Sequence, residues 1–430
     1  MCYLSEGMAV NCTKRDIWIF LLVCVLFLSY HAYYNGRCQS PCEKRRQPLP
    51  STYSRLVGIT EASVLNTSEW YVACLGDRKE SDSLQVGLND VAILKEFPPL
   101  DKIDILVKQA FLRLSPEKAN AFCANALLIL KEESYWSLTV TERWKFALKI
   151  FATVGIRQRL PDVIGIGVKK SGSSALRLYL AHHPNIRLPD IYSEAHYFDW
   201  KYFMSNKESY MAMMPLLAED EICYEKTPRY FVTSTAPTNI ARDVSPRTKF
   251  VICIRDPVKR ALSDWHHEQT LLIQRKNFSC VGCTALSEGI RFTEKILTKN
   301  GEVDSQSEFI DTSNYARHFE EWLQVFPFSQ FFILKEEDIR NNPLPTLQKL
   351  EKFLGVPRYY KQEMFVYNST MNATCFYEDD HELISCLRLQ NALPHPEPNE
   401  TVIKKMRDFF RPHNKRFEEL TGMKFEWTDL

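Results

Sequence analysis

Val163-Ile-Gly-Ile-Gly-Val168, followed by Lys169-Lys-Ser-Gly-Ser-Ser174, is the stretch on which the fold turns. Its first six residues form a short, wholly apolar run of the kind buried on both faces of a parallel sheet. The residues that follow Ser174, ALRLYLAHHP, carry apolar side chains at helical spacing. Strand, polar loop and helix in that order gather backbone N–H groups and the positive end of a helix dipole around the loop. Ser171, Ser173 and Ser174 add hydroxyls there, and Gly172 lets the backbone approach a ligand closely. The loop therefore suits a phosphate or sulfate, although a serine-capped helix with solvated lysines accounts for it equally well when it is taken alone. It is not a Walker A loop, because Lys170 precedes Gly172 instead of following the last glycine. Nor is it Gly-x-Gly-x-x-Gly, since Lys170 stands at the third glycine position, so a nucleotide kinase is disfavoured.

A second unit of the same grammar runs from Lys249-Phe-Val-Ile-Cys-Ile-Arg255 through Asp256-Pro257 into a helix carrying Arg260, Ser263, Asp264 and Trp265. Arg255 would emerge at the carboxyl end of its strand, where open parallel sheets bind ligands, with Ser263 about two turns along the helix. A guanidinium can grip a phosphate through two parallel hydrogen bonds, and the serine hydroxyl offers a third donor. A salt bridge to Asp256 or another carboxylate is the alternative use of Arg255. Strand–helix alternation at 163–183, 249–270 and 329–354 predicts an α/β fold with a mainly parallel sheet flanked by helices. The composition agrees: 430 residues, 45% hydrophobic and 25% charged, exclude a disordered or fibrous chain. The formal charge of +1 supplies no global field for a nucleic acid, so any anion site is local.

The N-terminus stands apart from that domain. Ile17–Ser29 reads IWIFLLVCVLFLS and continues to Tyr34, which predicts a transmembrane signal anchor over 17–34 after a cytoplasmic tail of 1–16; a cleaved signal peptide is the alternative. The flanking charges oppose a positive-inside orientation, with Lys14 and Arg15 before the span and Arg37, Lys44, Arg45 and Arg46 after it. The sequons at Asn66, Asn277, Asn368, Asn372 and Asn399 point the other way, to a lumenal downstream chain. So do the 13 cysteines, eight of them from Cys74 to Cys386. Cys375 and Cys386 flank a polar stretch that a disulfide would close, whereas Cys223 and Cys253 sit in apolar strand-like runs as buried thiols. Cys280-Val-Gly-Cys283 reads as a local disulfide or as loop cysteines, because no second pair follows at zinc-site spacing. Residues 35–160 form a stem, first linker-like and then helical, with Ser115 before Pro116 as an N-cap and first-turn pair. The folded domain is placed at 161–430.

From about residue 160 onward the chain resembles the Golgi sulfotransferases of glycosaminoglycans, most closely the heparan sulfate glucosamine 3-O-sulfotransferases. The resemblance rests on an ordered set: Gly167-Val-Lys-Lys170 with Gly172, Glu194-Ala-His-Tyr-Phe-Asp199, Glu225-Lys-Thr-Pro228 with Tyr230-Phe231, and Arg255-Asp-Pro-Val258 through Ser263-Asp-Trp265. Asn314-Tyr-Ala-Arg-His318 with Trp322, Phe353-Leu-Gly355 and the C-terminal helix extend it. It implies a P-loop-nucleotide-kinase-like core, a Golgi membrane location with single-pass type II topology, heparan sulfate or a related glycosaminoglycan as partner, and 3′-phosphoadenosine 5′-phosphosulfate as cosubstrate without a metal. Lys170, Gly172, Ser173 and Ser174 would hold the 5′-phosphosulfate, and Arg255 and Ser263 the 3′-phosphate. Glu194 would be the base, oriented by His196 and Asp199, with Lys170 and Lys226 steadying the transferring group.

The chain departs from that pattern in places. Arg388-Leu-Gln-Asn-Ala-Leu393 stands where the family has a basic run with Lys-Gly-Arg, Ser174 replaces an arginine, Ala195 replaces proline or valine, and 271–311 aligns poorly. Two alternatives follow. One is a sulfotransferase acting on another glycan position, N-sulfation included. The other is a silent relative that binds sulfated glycan through Lys259, Arg260, Lys404, Lys405, Arg407 and Arg411, the last four on a helix with Val402, Met406 and Phe409 as its apolar face.

Overall fold

A five-stranded sheet organises the molecule in the computed structural model, and its central strand β1 (Val163–Gly167) is the apolar run quoted above. Around it lie β2 (Ile186–Arg187), β3 (Ile222–Lys226), β4 (Lys249–Ile254) and β5 (Phe331–Lys335), in the spatial order β2-β3-β1-β4-β5 with every neighbouring pair parallel. The structure describes residues 140–189, 193–199, 206–275, 292–369, 373–377, 383–386 and 398–430, parts of 110–125, and the pairs 2–3 and 9–10. The proposed anchor at 17–34, most of the stem, Asn66, Asn277, Asn372, Cys280, Cys283 and Arg388 lie outside the described residues. Among the described residues, no helix is long and apolar enough to cross a membrane.

Helices α1 (Val140–Thr153), α2 (Ser173–His182), α3 (Pro257–Arg275), α4 (Tyr315–Leu323), α5 (Glu336–Asn341), α6 (Pro343–Leu354) and α7 (Glu400–Thr421) pack around the sheet. One face buries Ile164, Ile166, Phe250, Ile252 and Ile254 against Phe319 and Trp322 of α4 and Phe417 of α7. The other buries Val163, Tyr224, Val251 and Cys253 against Leu176 and Tyr179 of α2 and Leu347 and Leu350 of α6. Burial of both faces explains why β1 and β4 read as continuous apolar runs. Cys223 and Cys253 are free buried thiols in these strands. Along α7, Val402, Met406 and Phe410 form the fully covered stripe, one turn apart, packing on Val258, Ala261 and Trp265 of α3. The expected Phe409 is displaced from the centre of that stripe and packs at its edge.

The glycines of β1 are close-approach positions. A Cβ at Gly165 would fall on the Tyr224 hydroxyl and lie 3.2 Å from Lys226 Cγ; one at Gly167 would lie 2.6 Å from Phe231 Cβ. A register shift between Gly165 and Gly167 turns them to opposite faces, so each core gains one gap in the central strand. The stem of Lys226 lies against the first gap.

Beyond the sheet, β6 (Phe365–Asn368), β7 (Ala373–Tyr377) and β8 (Leu383–Cys386) form an antiparallel trio in which Cys375 faces Cys386 and is disulfide-bonded to it. Phe376 of β7 meets Tyr179 of α2 edge-on at 5.2 Å, which docks the trio on the helix that follows the anion loop. Upstream, α1 buries Trp144 and Phe151, and Arg113 reaches the domain with paired 2.9 Å bonds to both Glu221 oxygens. Ser115 accepts a hydrogen bond from Lys118 N at 3.3 Å, the N-cap pattern its position predicts.

Adding one methyl at Gly165 overfills a core that cannot shift the buried Tyr224. Gly165→Ala is expected to lower stability by about 1–3 kcal/mol, read as a reduced denaturation midpoint at unchanged slope.

Candidate active site

The carboxyl ends of β3, β1 and β4 lie side by side, and each delivers part of the site: Lys226 ends β3, Lys170 follows β1, and Arg255 follows β4. The helices after β1 and β4 pack with different clusters, α2 with the Tyr224 side and α3 with α7, and the strand order reverses at β1, the kind of switch point at which open parallel sheets bind ligands.

The loop after β1 winds through left-handed conformations at Lys170 (φ 67°) and Gly172 (φ 89°) before α2 begins at Ser173. No side chain caps that helix, so its first N–H groups remain available to an anion. Ser173 is buried under the loop and Ser174 is exposed. The two lysines of the loop differ sharply. Lys169 Nζ is bound by Asp264 at 2.9 Å and Glu268 at 2.6 Å, and although burial alone would lower its pKa, these carboxylates raise it. Lys170 makes no ion pair among the described residues. Burial lowers its pKa, Asp264 offsets part of that, and the positive charges of Lys169, Arg255 and Arg260 depress it further. The loop thus carries one neutralised cation and one left for a ligand.

Arg255 is half-buried, its carbonyl accepts the Tyr315 hydroxyl at 2.7 Å, and its Nε lies 3.8 Å from Glu336 Oε2. Asp256 serves the next helix instead, accepting Val258 N at 2.9 Å. Ser263 lies half-buried on α3. Arg260 corrects the reading of it as a surface cation: it is fully buried, bonding Ser313 Oγ at 2.6 Å, the Phe309 carbonyl at 2.7 Å and Asp264 at 2.8 Å.

On the other side, Glu194 Oε1 accepts from Lys226 Nζ at 2.5 Å, Glu194 Oε2 lies 3.2 Å from His196 Nε2, and His196 Nδ1 lies 2.6 Å from Asp199 Oδ2. Burial of Glu194 would raise its carboxyl, but the His196 hydrogen bond and the Lys226 charge overcome this and hold it at about 2. The hydrogen bonds to Asp199 and Glu194 lift His196 to about 9. At neutral pH Glu194 is therefore a carboxylate and His196 an imidazolium.

Sequence reasoning missed what holds this chain in place. Thr227 Oγ1 accepts from Ala195 N at 3.1 Å and His196 N at 3.3 Å, and the Tyr230 hydroxyl accepts from Tyr197 N at 2.8 Å. Thr227 in turn donates to Glu225 at 2.6 Å. Glu225 is 1% exposed, and burial pushes its carboxyl up to about 7 against the pull of Thr227, Ala195 and Tyr210. Consecutive backbone amides around His196, itself at φ 53°, are thus captured by the Thr227 and Tyr230 side chains, just after β3. The signal available in the sequence was the Glu225-Lys-Thr-Pro228 run, whose threonine and glutamate belong to one hydrogen-bonded unit with the loop.

Of the sequons within the described residues, Asn368 ends β6 partly buried, and Asn399 is exposed and caps α7 by accepting from Thr401 N at 2.9 Å. Among the described residues no cluster of His, Cys, Asp or Glu could hold a metal ion.

With the geometry in place, comparison with known proteins identifies the class. A family model described as "Sulfotransferase domain" matches residues 160–380. The chain is 32% identical over 272 residues to the human protein named heparan sulfate glucosamine 3-O-sulfotransferase 6, covering 63% of this chain and 75% of that one. It is 34% identical over 281 residues to human heparan sulfate glucosamine 3-O-sulfotransferase 3B1, covering 64% and 67%. It belongs to the heparan sulfate glucosamine 3-O-sulfotransferase family. Among solved structures, a sulfotransferase from Alicyclobacillus acidocaldarius aligns at 20% identity and TM-score 0.45 over 62% of this chain and 98% of its own.

The charges of Glu194 and His196 set a pH window. A carboxyl held at about 2 contributes stability that is complete above its ordinary 4.5 and lost as pH falls; an imidazole raised to about 9 contributes stability that is complete below 6.5 and lost as pH rises. The stability difference between wild type and His196→Ala, measured by denaturant titration, is expected to be largest between those ordinary values and to shrink in both directions. The Glu225 contribution is common to both proteins and drops out of the difference.

Proposed function

We propose that this protein is an enzyme that transfers a sulfuryl group from 3′-phosphoadenosine 5′-phosphosulfate to a hydroxyl of heparan sulfate, the 3-hydroxyl of glucosamine. The observation that carries the reading is Glu194, ionised and held between Lys226 and the His196–Asp199 pair, beside an anion loop with one uncompensated lysine. The names of the relatives support the acceptor and the position.

The residues present fit the donor. Lys170, the N–H groups from Gly172 onward, Ser173 and Ser174 suit its phosphosulfate, and Arg255 with Ser263 suits the 3′-phosphate. The donor supplies the sulfuryl group and departs as the 3′,5′-bisphosphate. Glu194 takes the proton of the attacking hydroxyl. His196 holds the second carboxylate oxygen, so the free lone pairs of Glu194 point at one acceptor position, and Asp199 keeps the imidazole charged and fixed. Lys226, bridging from the carboxylate toward the transferring group, and Lys170, at the departing phosphate, supply positive charge where negative charge develops. As Lys226 turns toward that charge, its hold on Glu194 weakens and the carboxylate becomes a better base.

A glycan-binding protein without catalysis is the weaker reading, because four of its six cations are already engaged: Arg260 is buried, Lys405 bonds the Gly301 carbonyl, Arg407 lies 3.6 Å from Asp256, and Arg411 pairs with Asp408 at 2.7 Å. The sequons and the bonded Cys375 and Cys386 support a lumenal catalytic domain, and with the apolar segment 17–34 they favour a single-pass type II protein of the Golgi membrane.

Transfer of labelled sulfate to heparan sulfate by the full-length chain tests the proposal. Incorporation is expected for wild type and is expected to fall by about 10²–10⁴-fold in Glu194→Gln. A folded protein that neither binds the bisphosphate nor transfers sulfate to any glycan acceptor would overturn the enzyme reading. Thr227→Val is expected to lower kcat with little change in donor affinity, while Thr227→Ser retains activity, because the hydroxyl that holds the Glu194 loop is lost in the first and kept in the second.

A further inference from the structure

Glu336 stands where a phosphate-binding crevice would ordinarily avoid a negative charge. It opens α5 directly after β5, the strand beside β4, and so reaches the same edge of the sheet as Arg255. Its side chain lies against the anion loop: a Cβ at Gly172 would be 3.0 Å from Glu336 Cγ and 3.5 Å from Glu336 Cβ. One carboxylate oxygen, Oε2, is buried without a hydrogen-bond partner and lies 3.8 Å from Arg255 Nε; the other lies 3.9 Å from Arg340 Nη1. The side chain is 14% exposed, so solvent screens it weakly. Its neighbour Glu337 feels the charge, for burial and then the Glu336 carboxylate raise the Glu337 carboxyl.

These distances describe a carboxylate close enough to balance the Arg255 guanidinium and too far to satisfy it with a hydrogen bond. We propose that Glu336 is a built-in competing anion, which offsets Arg255 in the free protein and weakens the hold of the site on the phosphates of both donor and bisphosphate product. The inference rests on the reading that Gly172 and Arg255 hold the nucleotide. A phosphate gripped by Arg255 comes within a few ångströms of the carboxylate, and the mostly buried geometry leaves their repulsion largely unscreened. The product carries at least as much negative charge as the donor, so the same residue favours product release. Glu336 thus sets donor affinity without taking part in the chemistry at Glu194.

Calorimetric titration of adenosine 3′,5′-bisphosphate into full-length wild type, Glu336→Gln, Glu336→Ala and Arg255→Ala, at low and high salt, tests this. Both Glu336 variants are expected to bind about tenfold tighter than wild type at low salt, with a smaller gain at high salt. Arg255→Ala is expected to bind more weakly. Unchanged or weaker binding by Glu336→Gln, in a protein whose denaturation midpoint matches wild type, overturns the inference and makes Glu336 a support for Arg255. Absence of binding by wild type, with Arg255→Ala no different, overturns the donor-site reading on which the inference stands.

Discussion

Lys169 and Lys170 are adjacent in the chain and meet opposite electrostatic surroundings, and the buried Arg260–Asp264 pair separates them. Arg260 is fixed by Ser313 and the Phe309 carbonyl, which holds Asp264 at the one place where it can neutralise Lys169. Breaking such a buried pair by removing one partner leaves an uncompensated charge, which is far costlier than losing a surface contact. Here the consequence would reach the loop directly, because the Lys169 carbonyl also accepts from Arg260 at 3.3 Å. The left-handed turn at Lys170, the start of α2 and the orientation of the free ammonium therefore all depend on one guanidinium that never meets a ligand.

The second half of the site is built by a different device. Glu194 is held by charges at its carboxylate and by neutral hydrogen bonds at the backbone that follows it, Thr227 and Tyr230 supplying the latter. The separation matters for the proposed proton transfer, in which the charged contacts change while the backbone position stays fixed. Lys226, Thr227 and Tyr230 come from β3 and the turn after it, and only His196 comes from the loop itself, so Glu194 and the cation beside it are positioned largely by one short segment. Gly165 completes the arrangement by leaving room for the stem of Lys226.

The parallel sheet was legible in the sequence because burial on both faces leaves unbroken apolar runs, and the three strand–helix units at 163, 249 and 331 all formed as their patterns predict. Lys170, Arg255 and Lys226 fall at the strand ends, and Glu194 meets Lys226, because ordered motifs on a known topology leave little freedom in where those residues can go. The less legible parts are those decided by contacts between distant segments. Nothing local marks Arg260 as buried, since a helical arginine beside an aspartate four residues on reads as a solvated pair. Thr227 and Tyr230 look like part of a turn until the 194–197 loop is laid on them. Glu336 reads as the acidic first turn of a helix, and its place against Gly172 follows from the adjacency of β4 and β5. Phe410 in place of Phe409 is a one-residue rotation, within the tolerance of a helical stripe wrapped over a curved core.

The strand order carries a kinetic meaning as well. No two neighbouring strands of the central sheet are joined by a hairpin, because parallel partners require crossovers. β1 is made first, yet its partners come from Ile222–Lys226 on one side and Lys249–Ile254 on the other. This wholly apolar strand must therefore wait, unpaired along both edges, while the chain that completes it is synthesised, and loop closure must precede any sheet hydrogen bond. A polypeptide arranged in this way folds slowly and exposes a sticky segment meanwhile, so its yield in a cell is governed by what shields Val163–Val168 during synthesis as much as by the stability of the finished sheet.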